Sequence, residues 1–163
     1  MKREVEDAGE NAGQRFLVDL MLMRLGRWLR LLGQDVAIPA KESDKVLLDQ
    51  AKAELRTIIT RDRGLFQAAR GAGVLCLLIR SSKLSDQLAE MARAGLPLRL
   101  DPKWCTMCNG PLDEVDEVAK GEIAGRKRWR CRSCRKLYWV GSHWKKMEDM
   151  LQEIRSRREK NAG

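Results

Sequence analysis

Four of the five cysteines in this 163-residue chain fall into two Cys-x-x-Cys pairs, Cys105/Cys108 and Cys131/Cys134, separated by the stretch from Asn109 to Arg130. Two such knuckles bring four thiolates within tetrahedral reach of one ion, and soft sulfur donors suit zinc. Asn109-Gly110 supplies the tight turn that the first knuckle requires. A module this short cannot bury a sufficient core of its own, so Zn2+ binding supplies its folding free energy, on the order of 10 kcal/mol or more. Four protein ligands close the shell, which makes the ion structural rather than catalytic. Two disulfides would need an oxidising compartment. The segment Met1 to Gln14 is polar, mixed in charge and without an apolar signal region, and it reads as a disordered leader. An iron–sulfur cluster satisfies the ligand count, but the paired knuckles favour zinc. Cys76 lies within the apolar run Val74 to Ile79 and reads as a core residue, and His143 stands beside a shell already complete.

The second knuckle is embedded in the most basic stretch of the chain. Arg126, Lys127, Arg128, Arg130, Arg132, Arg135 and Lys136 are seven cations within eleven positions that hold no acid. Trp129, Tyr138, Trp139 and Trp144 are interleaved or adjacent. Cations grip phosphates and aromatic faces stack on unpaired bases, so the cations are expected nucleic-acid contacts. The same aromatics also suffice for a small ribbon core. The expectation is that Tyr138 or Trp139 is buried while the basic side faces solvent. Over the whole chain, 32 lysines and arginines against 23 acids leave a formal charge of +9, which favours an anionic partner. The longest wholly apolar run, Val74 to Ile79, is far short of the ~20 residues of a membrane span. Nucleic acid is therefore the better partner, no membrane is expected, and the protein is expected in the cytoplasm. A Ser-His-Asp or Cys-His mechanism would have to use the single histidine inside the zinc module, so catalysis is sought among acids.

Ahead of the cysteines the pattern alternates. Arg15 to Asp19 reads as a buried strand. Leu22, Leu25, Trp28, Leu29 and Leu32 follow at helical spacing, stopped by Gly33, with Arg24, Arg27 and Arg30 mostly off the buried face. Gln34 to Ile38 is a short strand. Ser43 or Asp44 caps a helix to about Glu54. Thr57 to Thr60 is β-branched and strand-like, Leu65 to Arg70 is helical, Val74 to Ile79 is a strand, and Ser85 caps a helix through Ala94. Strand–helix alternation predicts an α/β domain with a mainly parallel sheet flanked by helices. Its strands are continuously apolar because both faces are covered. The expected divisions are 1–14 leader, 15–100 α/β domain, 101–147 zinc ribbon, and 148–163 a charged C-terminal helix or tail. Met147, Met150, Leu151 and Ile154 in the tail form one stripe that packs on the protein's own surface.

Three carboxylates stand at revealing positions. Asp19 ends the first strand, Asp62 lies just past the strand Thr57 to Thr60, and Asp44 opens a helix. Parallel α/β sheets build sites at the C-terminal ends of their strands. Convergent carboxylates make an oxygen-rich cage for Mg2+ or Mn2+, ions that activate water in phosphodiester cleavage. Each also has a local reading, Asp44 as a helix cap and Asp62 as a turn former.

Phe16-Leu17-Val18-Asp19, Leu25-Gly26-Arg27-Trp28-Leu29-Arg30-Leu31-Leu32-Gly33, Asp44 and Thr60-Arg61-Asp62-Arg63 resemble the Mut-seven C-terminal ribonuclease family. So do Cys105-x-x-Cys108-Asn109-Gly110, Cys131-x-x-Cys134 and Tyr138-Trp139-Val140-Gly141-Ser142-His143-Trp144. The resemblance runs in order from about Phe16 to Met147. It implies a PIN-like fold with an acidic, metal-dependent RNase site, followed by a zinc ribbon. Asp19, Asp44 and Asp62 match the acidic positions, and Thr60 would orient the site. Arg27 and Arg30 become phosphate contacts, joined by Arg61 beside Asp62. PIN-like nucleases often carry a fourth acid after the next strand, where Ile79-Arg80-Ser81-Ser82 offers none and Asp86 arrives late. The expected function is metal-dependent cleavage of RNA by activated water. The alternative is an RNA- or ribosome-binding adaptor without turnover. A purely protein-binding ribbon leaves the clustered charge unexplained.

Overall fold

The structure, a computed structural model, describes residues 14–116 and 125–163. The expected leader, Gln14 excepted, lies outside the described residues, as does part of the segment between the two knuckles. The order of elements is β1 (Arg15–Val18), a 3-10 turn (Leu20–Leu22), α1 (Met23–Leu31), β2 (Asp35–Ala37), α2 (Asp44–Glu54), β3 (Thr57–Thr60), α3 (Arg63–Gly71), β4 (Cys76–Leu78) and α4 (Leu84–Arg93). Three ribbon strands follow, β5 (Leu112–Glu114), β6 (Arg128–Cys131) and β7 (Leu137–Trp139), and then α5 (Ser142–Asn161).

The first four strands form one parallel sheet in the order β2-β1-β3-β4. Side chains alternate across a strand, and the two cores follow from that alternation. Phe16, Val18 and Ile59 point to one face, where Leu22, Leu25, Leu29 and Leu88 cover them. Leu17 and Ile58 point to the other, under Leu47, Ala51, Leu65 and Ala69. Both faces are covered, so past Arg15 at its exposed start every residue of the central strands β1 and β3 is buried.

α1 lies close against β1 because residue 26 is glycine. A Cβ there would stand 2.9 Å from a Val18 methyl. The helix stops where expected: Gly33 takes φ 87°, a left-handed value that glycine adopts without strain, and the Gln34 amide donates to the Leu29 carbonyl at 3.0 Å. Arg30, however, does not lie off the buried face. It is 3% exposed, its Nε donating to the Val36 carbonyl at 2.9 Å and its Nη1 to the Thr106 carbonyl at 2.8 Å. Helical periodicity places it next to the apolar stripe, and the edge strand β2 and the ribbon folding back each supply one acceptor that makes burying a guanidinium tolerable. α4 is preceded by Lys83 as its capping residue, not Ser85.

β5-β6-β7 form a three-stranded antiparallel sheet. α5 then starts at Ser142, taking in His143, and runs unbroken to Asn161. It returns to the first domain and packs along α4, placing Leu151 (1% exposed) and Ile154 (3%) in the core that holds Phe16 and Val18. The apolar stripe of the tail is thus used within the chain. The first knuckle also docks on the sheet edge: Asn109 Oδ1 accepts the Val36 amide at 3.1 Å, and its Nδ2 donates to Asp35 Oδ1 at 2.7 Å. No helix among the described residues is long and apolar enough to cross a membrane.

Candidate active cleft and zinc centre

The parallel pairing of β1 with β3 sets Val18 opposite Ile59, and the ladder carries on one step, with the Asp19 amide donating to the Ile59 carbonyl at 3.3 Å. Asp19 and Thr60 therefore leave the sheet side by side. The Thr60 hydroxyl, wholly buried, donates to Asp19 Oδ2 at 2.5 Å and accepts the Asp62 amide at 3.0 Å. One side chain thus ties together the strand-end acids. The other Asp19 oxygen accepts the Met21 amide at 2.9 Å, and Asp62 Oδ1 accepts the Leu65 amide at 3.1 Å, so both acids cap the helical turns that follow them. Asp44 is the exposed first residue of α2. The local reading of Asp62 holds, since it turns the chain into α3 as its cap and positions the site at the same time, whereas Asp44 is not a cap: Ser43 takes that place and Asp44 follows it as the first helical residue. A capping acid sits by necessity where a chain leaves a parallel strand, which is the end at which such sheets carry sites.

Asp19, Asp44 and Asp62 line one cleft of about 70 Å³, floored by Leu47 and Leu65. Glu42 lines it as well. This fourth acid comes from the loop before α2 rather than from beyond β4, where it was sought. Its only sequence signal is its place two residues ahead of Asp44. α2 and α3 present their N-terminal ends here, and their partial positive charge offsets repulsion among the acids. Oxygen donors of this kind fit a hard divalent cation. Among the described residues the cysteines, and not these acids, are drawn together as a group of three or more metal-ligating side chains, so an ion held here would keep water in part of its shell, as Mg2+ commonly does. Cys76, at the start of β4, is half-buried, and burial, with Asp19 nearby, pushes its thiol up to about 11, which disfavours the thiolate.

The cysteines do converge. The Sγ atoms of Cys105, Cys108, Cys131 and Cys134 all lie within 4.8 Å of one another, with 3.6 Å between Cys105 and Cys134 and 3.5 Å between Cys108 and Cys131. Sulfurs ~2.3 Å from a tetrahedral zinc would stand about 3.8 Å apart, so the cluster fits one zinc ion. Asn109 (φ 61°) and Arg135 (φ 67°) turn the chain through left-handed conformations just after each pair. Amides of Gly110 and Ser133 donate to Cys108 and Cys131 sulfurs at 3.3 and 3.4 Å. Burial raises the Cys105 thiol, but the Tyr138 hydroxyl at 3.0 Å and the neighbouring backbone amides outweigh it and bring it down to about 6. The ligand is thereby prepared as a thiolate.

The expected RNA contacts divide. Arg27, Arg61, Arg126, Lys127, Arg132, Arg135 and Lys136 are exposed. Arg128 is 7% exposed, so the basic side does not face solvent throughout, and Arg130 is half-buried with Nη1 on the Arg135 carbonyl at 3.1 Å. Arg132 makes two 2.7 Å bonds to Asp113, and Lys127 and Lys136 sit over the rings of Trp129 and Tyr138 at 5.6 and 5.3 Å. The aromatics divide too. Trp129 is buried and stacks on Trp144 with centroids 5.5 Å apart, Tyr138 is turned onto the cysteines, and Trp139 remains exposed.

The sequence model of the Mut7-C RNAse domain matches residues 14–151, from the first strand to the core-facing turn of α5. The chain belongs to the Mut7-C RNAse domain family. Membership covers the acidic cleft and the cysteine cluster in one unit and points to RNA-related nuclease function. No curated protein and no solved structure matched the chain.

Proposed function

We propose that this Mut7-C chain is a metal-dependent ribonuclease whose active site is the cleft of Asp19, Asp44 and Asp62. The observation that carries the reading is that three separate segments, the ends of β1 and β3 and the start of α2, deliver carboxylates to one cleft. A bound Mg2+ or Mn2+ would acidify a water and offset charge on the scissile phosphate. Asp19, 7% exposed and fixed by Thr60 and the Met21 amide, is the rigid member of the set. Asp62, held through its own amide and Leu65, keeps its second oxygen for the ion. Asp44 and Glu42 close the open side and orient water. The zinc ion is a structural clip, and the ribbon's exposed cations, Arg126, Arg135 and Lys136 among them, help to position RNA.

The test is cleavage of RNA by purified protein with added Mg2+ or Mn2+. The double variant Asp19→Asn with Asp62→Asn is expected to lose at least about 100-fold in rate, the scale of removing an electrostatic catalytic group, while still holding zinc. Unchanged cleavage in that variant refutes the reading. A second reading, RNA binding without turnover, draws on the cysteines, and not these acids, being drawn together as a group of metal-ligating side chains. It predicts no metal-dependent cleavage by the wild type, with salt-sensitive binding that survives the double substitution.

A further inference from the structure

α1 joins the two sites. Its N-terminal end leaves the acidic cleft, and near its C-terminal end Arg30 is bonded to the first zinc knuckle at Thr106. The helix spans nine residues, roughly 13 Å at 1.5 Å per residue. Residues three and four apart share a helix face, so Arg24, Arg27, Trp28 and Leu31 form one stripe along it, and Met21 stands in the 3-10 turn just ahead of it. Met21 lines the acidic cleft and is 68% exposed. The other four line a second groove of about 450 Å³, between α1 and α5, that ends against Thr106.

The chemistry of that groove is one-sided. α1 contributes Arg24 and Arg27, α5 contributes His143 and Lys146, and no carboxylate lines it. Arg24, Arg27 and Lys146 are exposed, and among the described residues none has a carboxylate within ion-pair distance. Between the cations the floor is apolar: Trp28, Met147 and Met150. Cations along the rims of an apolar trough match one nucleic-acid strand, with phosphates at the rims and base faces on the floor. A duplex hides its base faces and cannot use the floor.

We infer that the α1–α5 groove is the track for single-stranded RNA, guiding one strand from the zinc knuckle along α1 to the acidic cleft. The proposal takes its direction from the ribonuclease reading of the cleft, but its charge and shape stand without it. Arg24, Lys146 and His143 are thereby added to the RNA contacts, and the strand runs beside the ribbon instead of across its buried strand β6.

The experiment is fluorescence anisotropy of a labelled single-stranded RNA of mixed sequence, with no Mg2+ or Mn2+ added so that binding is read apart from cleavage. Each single-strand phosphate contact contributes about 0.7 to the slope of log K against log salt. The variant Arg24→Ala/Arg27→Ala/Lys146→Ala should therefore lower that slope by about 2 and weaken binding about 100-fold at ~0.1 M salt. A control that removes as much charge elsewhere, Lys52→Ala/Arg99→Ala/Lys160→Ala, should change affinity less than about threefold, since distant exposed charges are screened. Arg24→Lys with Arg27→Lys should bind nearly as well as wild type, and a duplex of the same sequence should respond less to the groove variant. Wild-type affinity and slope in the groove variant, or an equal loss in the control, overturns the proposal. Loss of cleavage in the Asp19/Asp62 variant with groove binding intact separates the two: an inactive wild type that binds through the groove defeats the ribonuclease reading alone.

Discussion

Thr60→Val is the substitution that most directly probes how the cleft is held. The hydroxyl is wholly buried and serves two acids at once, as donor to Asp19 Oδ2 and acceptor for the Asp62 amide. Valine keeps the shape and deletes both bonds. A hydrogen bond to a charged group contributes about 1.5–3 kcal/mol and a neutral one about 0.5–1.5. Asp19 is 7% exposed, so water replaces the lost donor poorly. The expected cost is about 3 kcal/mol, which for a chain of this size lowers the melting temperature by roughly 6–12 °C. Thr60→Ser keeps the hydroxyl and loses one buried methyl, so it should cost only about 1 kcal/mol. The assay is urea unfolding of the three proteins, analysed with a common slope, alongside metal-dependent RNA cleavage. Thr60→Val should be impaired in both and Thr60→Ser in neither to the same degree. A valine variant within 0.5 kcal/mol of wild type, or a serine variant as unstable as the valine one, would show that the hydroxyl does not organise these acids.

Leu151→Ala, at a site 1% exposed in the main core, should destabilise the α/β domain by about 3 kcal/mol. A cost under 1 kcal/mol in denaturant titration would mean that α5 is not part of that core. Zinc should be present at one ion per chain by elemental analysis, and its removal by a strong chelator should abolish the near-ultraviolet dichroism of the stacked Trp129–Trp144 pair; an unchanged signal in the metal-free protein would refute the folding role of the ion. Burial alone would raise the Asp35 carboxyl, but Arg56, Asn109 and Arg15 outweigh it and hold it below the usual carboxylate range. A depressed folded value means stability that is complete above the unfolded pKa of ~3.9 and lost as pH falls through the lower folded value. Wild type should therefore lose stability below about pH 4 more steeply than Asp35→Asn, as followed by thermal melting across pH; parallel curves would remove Asp35 from the docking of ribbon on sheet.

Much of this architecture is legible residue by residue because its causes are local. Each knuckle's spacing sets its own two sulfurs side by side, since a Cys-x-x-Cys turn closes within its own backbone, and the need of one ion for four ligands pairs the two knuckles. The strand at 15–18 announces itself as a short apolar run and that at 57–60 by its β-branched residues, and Gly33 ends its helix through its own left-handed turn. Asp19 and Asp62 stand out for the same kind of reason: each follows a strand, and a parallel sheet puts such ends on one side. What depends on segments far apart in the chain is not legible in this way. Arg30 carries the same letter as the exposed Arg27, and its burial rests on the Val36 carbonyl of the edge strand and on a carbonyl that Thr106, 76 positions later, returns to it. Glu42 joins the cleft because the loop from β2 to α2 comes back to the acids that follow β1 and β3. The charged tail closes the core that begins at Phe16 because α4 leaves a helix-wide apolar face to cover. Local propensity acts over a turn or two of chain, whereas burial, charge compensation and the meeting of acids are settled by contacts that exist only once the chain has come back on itself.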